Sequence, residues 1–246
     1  RVKFLEKKKG IKTSDAHKLI EKDISEEEDH GQQTRDTFQL SDIFIKSDPS
    51  NEDSIKSQLS RILDLLFGHP HITPTIDEHM MYTAFAYSSR SADLSRQVGA
   101  VLTNSTGDVI GLGSNDVPKF QGGPYWPELK EDWRDYKRGA DANEKIKNEI
   151  ILKVMKKLGQ QGSDESLIKS GLNILDDTGL TDITEFSRAT HAEMSALFSA
   201  SRIGSSPING TIYCTTFPCH NCAKHIVESG VKRVVFVEPY PKSKAY

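Results

Sequence analysis

The chain has 246 residues, room for one large domain or one domain plus part of another, and its apolar fraction of 36% is low for a compact globule, so some of the length is expected to be solvated or extended. Its formal net charge of −3 argues against a polynucleotide-binding domain, which carries a basic excess, and favours a small anionic substrate held by a few local cations. Three cysteines make a poor disulfide framework, and no signal peptide or bilayer-length apolar run is visible, so the expected setting is cytoplasmic.

Residues 1–35 are dense in charge, with Lys7-Lys8-Lys9 preceding Glu26-Glu27-Glu28-Asp29. Such blocks read as solvated helix or loop. No G-x-x-x-x-G-K-[ST] motif gives them a phosphate-binding role. The first residue is Arg rather than Met, and an upstream part is expected to be missing. Residues 36–46 carry a short apolar run that predicts a strand. From Asn51 to Phe67, Ile55, Leu59, Ile62 and Leu66 fall at helical spacing, and Gly68-His69-Pro70 stops the helix.

A second domain is expected from Ile76. Ile76, Met80, Met81, Ala84 and Phe85 form one apolar helical face, with Asp77 and Glu78 in its first turn. Gln97–Thr103 and Val109–Gly113 read as two strands joined by the turn residues Asn104 to Asp108, a hairpin. Residues 118–187 are rich in Pro and Gly at their start, with Trp126 and Trp133 as expected anchors. A helix is expected over Ala140–Leu158, then polar loop. An insertion this long reads as a lid or an oligomer contact. From His191 the pattern is regular: a helix to Gly204, a strand over Gly210–Thr216, a helix over Cys219–Ser229 and a strand over Val231–Val237. Strand–helix–strand in so few residues implies a parallel pair.

Two short pieces carry chemistry. Thr190-His191-Ala192-Glu193 opens one helix, and Phe217-Pro218-Cys219-His220-Asn221-Cys222 opens another. A lone C-x-x-C is shared by redox, structural-zinc and catalytic-zinc sites. At a helix start, residues three apart aim both sulfurs to one face, and the partial positive charge there favours thiolates. One imidazole and two thiolates leave a tetrahedral zinc with one open position, the mark of a catalytic site rather than a closed structural one. Glu193 then stands two residues past the ligand His191 as a group that moves protons without binding metal. Cys214 reads as a buried apolar thiol, and His220 and His225 as ordinary histidines.

H-x-E followed by P-C-x-x-C is the pattern of the zinc nucleobase deaminases. Residues 76–240 resemble the deoxycytidylate (dCMP) deaminases of the cytidine-deaminase superfamily, through Ser89-Arg90-Ser91, Gln97-Val98-Gly99-Ala100-Val101, Gly111 to Pro118, His191-Ala192-Glu193 and Phe217 to Lys224. The whole chain is similar to bacterial anti-phage dCTP deaminases. Their resemblance implies an α/β chain: a three-layer α-β-α fold with a mixed five-stranded sheet over 76–246, inserted at 118–187. It also implies that 1–75 are the tail and linker of a preceding P-loop nucleotide-kinase-like domain.

The resemblance implies zinc on His191, Cys219 and Cys222, Glu193 as proton shuttle, and substrate contacts from Asn115, the Ala192 backbone, Arg90 and Phe217. Many dCMP deaminases hold a second, structural zinc on extra cysteines in the insertion; this chain has none there, so one zinc per subunit is expected. Arg90 would sit near the phosphate. Of the cations near predicted loop mouths, Arg90, Arg96, Lys119, Arg134, Lys137, Arg138, Lys242 and Lys244, most are expected to be solvated surface charges and only a few to touch phosphate. The chain reads Ser114-Asn115-Asp116 where relatives read Tyr-Asn-Gly, so the sugar pocket differs. The implied reaction is deamination of dCTP, and of dCMP, to the uracil nucleotide, depleting dCTP as a defence against phage. A homo-oligomer and an inhibitory RNA or nucleotide regulator are implied as well. Two other readings use the same residues: a tRNA or single-stranded nucleic-acid deaminase, and a non-catalytic regulatory module stabilised by zinc.

Overall fold

The computed structural model describes residues 2–24, 40–45, 51–176, 178–179, 183–240 and 243–245. The chain divides into two compact units, Arg1–Thr75 and Ile76–Tyr246. No helix among the described residues is long and apolar enough to cross a membrane.

The described secondary-structure elements of the first unit are helices. α1 (Val2–Lys9) packs on α2 (Thr13–Ile24), and α3 spans Glu52–Leu66. Asn51 caps α3, its side chain accepting from the Ser54 N–H at 3.0 Å, which satisfies one of the donors a helix start leaves free. The expected helix is therefore present, but its apolar stripe is not buried: Leu59 and Leu66 remain 44% and 65% exposed. Residues 40–45 form no strand, so that part of the expected 36–46 strand is corrected; the rest lies outside the described residues. Nothing in these helices supports a nucleotide-kinase-like origin for 1–75.

The second unit is α/β. In chain order it contains α4 (Ile76–Ser88), β1 (Gly99–Thr103), β2 (Val109–Ser114), α5 (Asp135–Arg138), α6 (Ala142–Lys157), α7 (Asp164–Leu175), α8 (Ala192–Arg202), β3 (Thr211–Thr216), α9 (His220–Glu228) and β4 (Arg233–Glu238). The strands form one mixed sheet in the order β2-β1-β3-β4. β1 is antiparallel to both β2 and β3, and β3 is parallel to β4. The sheet has four strands among the described residues, not five. The sequence itself offers only these four strand-like runs in this unit, and the fifth came from resemblance alone.

Strand alternation sorts the core into two layers. Ala100, Leu102, Ile212 and Cys214 face α8 and α9, meeting Ala192, Ala196, Ala200, Cys222 and Ile226. Val101 and Tyr213 face α4, meeting Ala84, Met80 and Met81. Full burial of a side chain such as Leu102 or Ile212 stabilises by about 1.5–3 kcal/mol. The stripe of α4 that reaches the sheet is narrower than its sequence pattern implies: Ile76 and Phe85 are 50% and 68% exposed.

The approach of α8 to β2 is set by backbone. A Cβ on Gly111 would lie 2.2 Å from the Ala196 carbonyl oxygen, and one on Gly113 would lie 2.0 Å from that of Ala192. Two glycines two residues apart on one sheet face thus let the start of α8 lie against β2.

The stretch 118–187 is more ordered than its composition implies. α6 is found where a helix is expected, with Asp141 as its cap. The polar loop expected after it instead contains α7, capped by Ser163. α6 and α7 bury their own cluster of Ile151, Met155 and Leu167. Trp126 and Trp133 stay about half exposed, whereas Tyr125 is buried, so Tyr125 is the aromatic anchor.

Candidate metal centre

Two helix starts meet at one point. His191 is the residue before α8, with extended backbone and no side-chain cap bond. Cys219 is the residue before α9, and its Sγ accepts from the Cys222 N–H at 3.5 Å. His191 Nδ1 lies 3.4 Å from Cys219 Sγ and 3.3 Å from Cys222 Sγ. The three donor atoms all lie within 4.8 Å of one another. Zinc bonds of ~2.3 Å to sulfur and ~2.1 Å to nitrogen at the tetrahedral angle would place N and S about 3.6 Å apart. The soft donor set and its spacing therefore fit a zinc ion.

The electrostatics agree with a thiolate-rich centre. The Cys219 thiol is pulled down to about 3, first by its hydrogen-bonding interaction with Cys222 and then, against burial, by His191. Cys222 is pushed up, first by Cys219 and then by burial. The His191 imidazole is raised, first by its hydrogen bond to the Cys219 sulfur. A divalent cation takes both sulfurs as thiolates, so its binding displaces the Cys222 proton.

Glu193 is only 4% exposed. The Cys222 Sγ donates to its Oε2 at 3.4 Å, and burial raises its carboxyl above the usual range. A solvated helix glutamate would show neither feature. Cys214 is fully buried in the core and its thiol is pushed well up by burial, as expected for an inert side chain rather than a fourth ligand.

The remaining sequence-predicted residues are placed as follows. Ala192 is the fully buried first residue of α8. Asn115 bridges to the chain entering β1, its Oδ1 accepting from the Val98 N–H at 2.6 Å and its Nδ2 donating to the Arg96 carbonyl at 2.8 Å. Arg90 stacks 3.5 Å over the Trp126 ring and donates from Nη2 to the Tyr125 carbonyl. Phe217 packs edge-on to Phe236, with centroids 4.8 Å apart.

Among the candidate phosphate cations, Arg134 is 5% exposed and committed to Asp132 and Asp116, so it belongs to the interior. Arg96 pairs with Glu238 at 2.9 Å. Lys242 lies outside the described residues.

A cleft of about 290 Å³ opens beside His191, lined among others by Arg188, Thr190, Met194, Asn221 and His225. Arg188 was missed by sequence reasoning and His225 was set aside. Arg188 donates to Asp135 Oδ1 at 2.6 Å and to the Trp133 carbonyl at 2.9 Å. Its place two residues before Thr190-His191 was the available signal.

A family model described as the cytidine and deoxycytidylate deaminase zinc-binding region matches residues 74–238. This chain therefore belongs to the zinc-binding cytidine and deoxycytidylate deaminase family. Within it, deoxycytidylate deaminases are its relatives. The chain is 48% identical to the deoxycytidylate deaminase of enterobacteria phage T2 over 54 residues, 22% of this chain and 29% of that enzyme. It is 26% identical to the human deoxycytidylate deaminase over 161 residues, 65% of this chain and 63% of that enzyme. The matches thus span less than two thirds of these relatives' lengths. Among solved structures, the dCMP deaminase of cyanophage S-TIM5 in complex with dCMP and dUMP aligns at a TM-score of 0.42 and 20% identity, over 71% of this chain and 90% of that one.

Proposed function

We propose that the chain hydrolytically deaminates deoxycytidine nucleotides, dCTP and also dCMP, to the deoxyuridine nucleotides. In its cell this would drain dCTP from a replicating phage. The reading is carried by one observation: a 4%-exposed carboxylate, Glu193, held beside a three-donor set of His191, Cys219 and Cys222.

In the net reaction, water oxygen bonds to the ring carbon, the C–N bond to the amino group breaks, and ammonia leaves. His191, Cys219 and Cys222 would hold the zinc, which would supply Lewis acidity that brings the pKa of water to about 7. Glu193 does the proton work. Its carboxylate would take one proton from the attacking water and pass it to the ring nitrogen, then take the second from the new hydroxyl on the ring carbon and pass it to the departing amine. Burial suits this role, because a carboxyl with a raised pKa takes up the proton of the attacking water more readily.

The substrate contacts follow from the helix ends and the loops. The first turn of α8 has no side-chain cap, and a helix start presents N–H groups without intrahelical partners; the Ala192 N–H is assigned to the base carbonyl. Asn115 keeps one lone pair and one N–H beyond its two backbone bonds for the sugar. Arg90 is assigned to phosphate; its buried Nε has no hydrogen-bond partner. The Phe217 ring is assigned to the base. A homo-oligomer, an inhibitory RNA or nucleotide regulator, and the reading of 1–75 as the tail of a nucleotide-kinase-like domain rest on resemblance alone.

The test is direct. Purified zinc-loaded protein is incubated in parallel with dCTP, dCMP and deoxycytidine, and ammonia release is measured. Turnover of the nucleotides is expected, and Glu193→Ala should keep its zinc while losing about 10²–10⁴-fold in rate. Zinc-loaded protein that releases no ammonia from any of the three overturns the reading. Wild-type turnover in Glu193→Ala removes the proton role.

A further inference from the structure

We propose that Arg134 and Asp116 form a positioning pair through which the inserted stretch 118–187 sets the chain that delivers His191 to the metal centre. The inference rests on the metal-site reading of His191, Cys219 and Cys222 and does not depend on the reaction.

Asp116 stands at a junction. Its backbone makes a two-way bridge with Thr190, the residue before His191: the Thr190 N–H donates to the Asp116 carbonyl at 2.9 Å, and the Asp116 N–H donates to the Thr190 carbonyl at 3.2 Å. Its carboxylate fixes the backbone on both sides, accepting from the Ala92 N–H at 3.1 Å and the Val117 N–H at 2.8 Å. The neighbouring Asn115 ties the same corner to the entry of β1. Any displacement of Asp116 is therefore passed to Thr190, one peptide from a metal ligand.

Arg134 reaches this corner from the insertion. Its side chain and that of Asp116 are each 7% exposed, and Nη1 lies 3.5 Å from Asp116 Oδ2. The rest of its guanidinium is fixed by Asp132, with Nη2 to Oδ2 at 2.7 Å and Nε to Oδ1 at 3.0 Å, so the fork has little freedom. Tyr136 closes the far side, its ring 5.1 Å from the guanidinium carbon. A buried cation held on one side by its own loop and aimed on the other at a carboxylate beside the His191 segment is a brace. A solvated surface arginine has no such geometry. The Ser114-Asn115-Asp116 reading gains a physical reason here, since a glycine at 116 would offer this arginine nothing.

Outer groups that orient metal ligands typically change metal affinity about 10–100-fold when removed. The test uses cobalt(II) alone as probe, because its visible absorption reports ligand geometry directly. Apparent affinity and spectrum are measured for the wild type, Arg134→Met, Arg134→Lys, Asp116→Asn and Met155→Ala, with the thermal transition of each metal-free protein as a folding check.

Arg134→Met and Asp116→Asn should weaken cobalt binding by about 10–100-fold and shift its spectrum. Arg134→Lys keeps the charge without the planar fork; it should fall between them and the wild type, and it reads the link if Arg134→Met does not fold. Met155→Ala loosens the α6–α7 core without touching the link, and its affinity and spectrum should stay those of the wild type. Wild-type affinity and spectrum in both Arg134→Lys and Asp116→Asn overturn the proposal, as does an equal loss in Met155→Ala. No turnover is read, so a protein that failed to deaminate nucleotides could still support this pair, and failure of the pair leaves the deaminase reading standing.

Discussion

The layer that carries the metal centre and the stretch inserted into it are built by different means. Between β2 and α8 the contact is backbone on backbone: Gly111 and Gly113 face Ala192, Ala196 and Ala200, with no room for a single methyl group. The insertion has a small core of its own, Ile151, Met155 and Leu167. It is tied to the metal-bearing segment by polar links, Arg134 to Asp116 and Arg188 to Asp135, while Asn143 holds the insertion's own far end, its side chain donating to the Ile183 carbonyl at 2.9 Å and accepting from the Phe186 N–H at 3.3 Å. The first design fixes distance, because close-packed backbone has no soft direction. The second fixes orientation, because hydrogen bonds are directional. The insertion can thus vary in its own packing while its grip on the chain before His191 stays the same.

If that division holds, damage to each part should have a different signature. Leu167→Ala should cost about 2–5 kcal/mol of local stability, seen as faster hydrogen exchange confined to α6 and α7 with zinc content unchanged. Loss of zinc in this variant would join the two regions into one cooperative piece. Gly113→Ala should cost about 1–3 kcal/mol through overpacking and should lower zinc affinity with it, because the added methyl would lift Ala192 and the adjoining His191. A variant that tolerates the methyl with full metal binding would show that α8 can slide on the sheet.

The same division explains what was legible in the sequence. The metal centre was readable because its donors come in two local runs, each at a helix start, where spacing alone dictates which side chains point together. The hairpin and both strands flanking α9 were readable for the same reason of local periodicity. α7 was missed in a stretch read as polar loop, and Gly171 in its middle weakens a helical pattern by about 1 kcal/mol. The structure shows why glycine is there: a Cβ would lie 2.4 Å from Ile151 Cγ2 on the partner helix. A signal was present in Ser163-Asp164-Glu165 followed by Leu167 and Leu175, a cap and acidic first turn ahead of apolar residues two turns apart. Arg134 was misread because a cation in a polar stretch is normally solvated, and its partner Asp116 lies 18 residues away. Tertiary pairs of this kind leave no periodic trace.

The smallest expected effect separates buried from exposed ion pairs by acid titration. Arg134 holds the Asp132 carboxyl well below the usual carboxylate range, chiefly by direct hydrogen bonds. Asp132 therefore stays ionised in the folded chain at pH values where an unfolded aspartate, near about 3.9, takes up a proton. In that window the unfolded state binds more protons, so this stabilisation is complete above the unfolded value and fades as pH falls towards the folded one. Asp116 runs the other way: burial raises its carboxyl, so its contribution declines as pH rises from the unfolded value through the folded one. Asp77, paired with Arg233 and hydrogen-bonded by Tyr213, is also lowered, first by the Arg233 hydrogen bonds. That pair is exposed, at 38% and 51%, and solvent screening holds it to about 0–1 kcal/mol. The buried Asp132 pair, with side chains 12% and 7% exposed, should supply about 1.5–3 kcal/mol, as hydrogen bonds to charged groups do. Thermal midpoints followed from pH 7 to pH 3 should fall less steeply in Asp132→Asn than in the wild type, with Asp77→Asn nearly parallel to the wild type. Equal slopes in all three would mean that the insertion's interior is as open to solvent as the protein surface, and that its grip on the metal-bearing segment is no stronger than a surface ion pair.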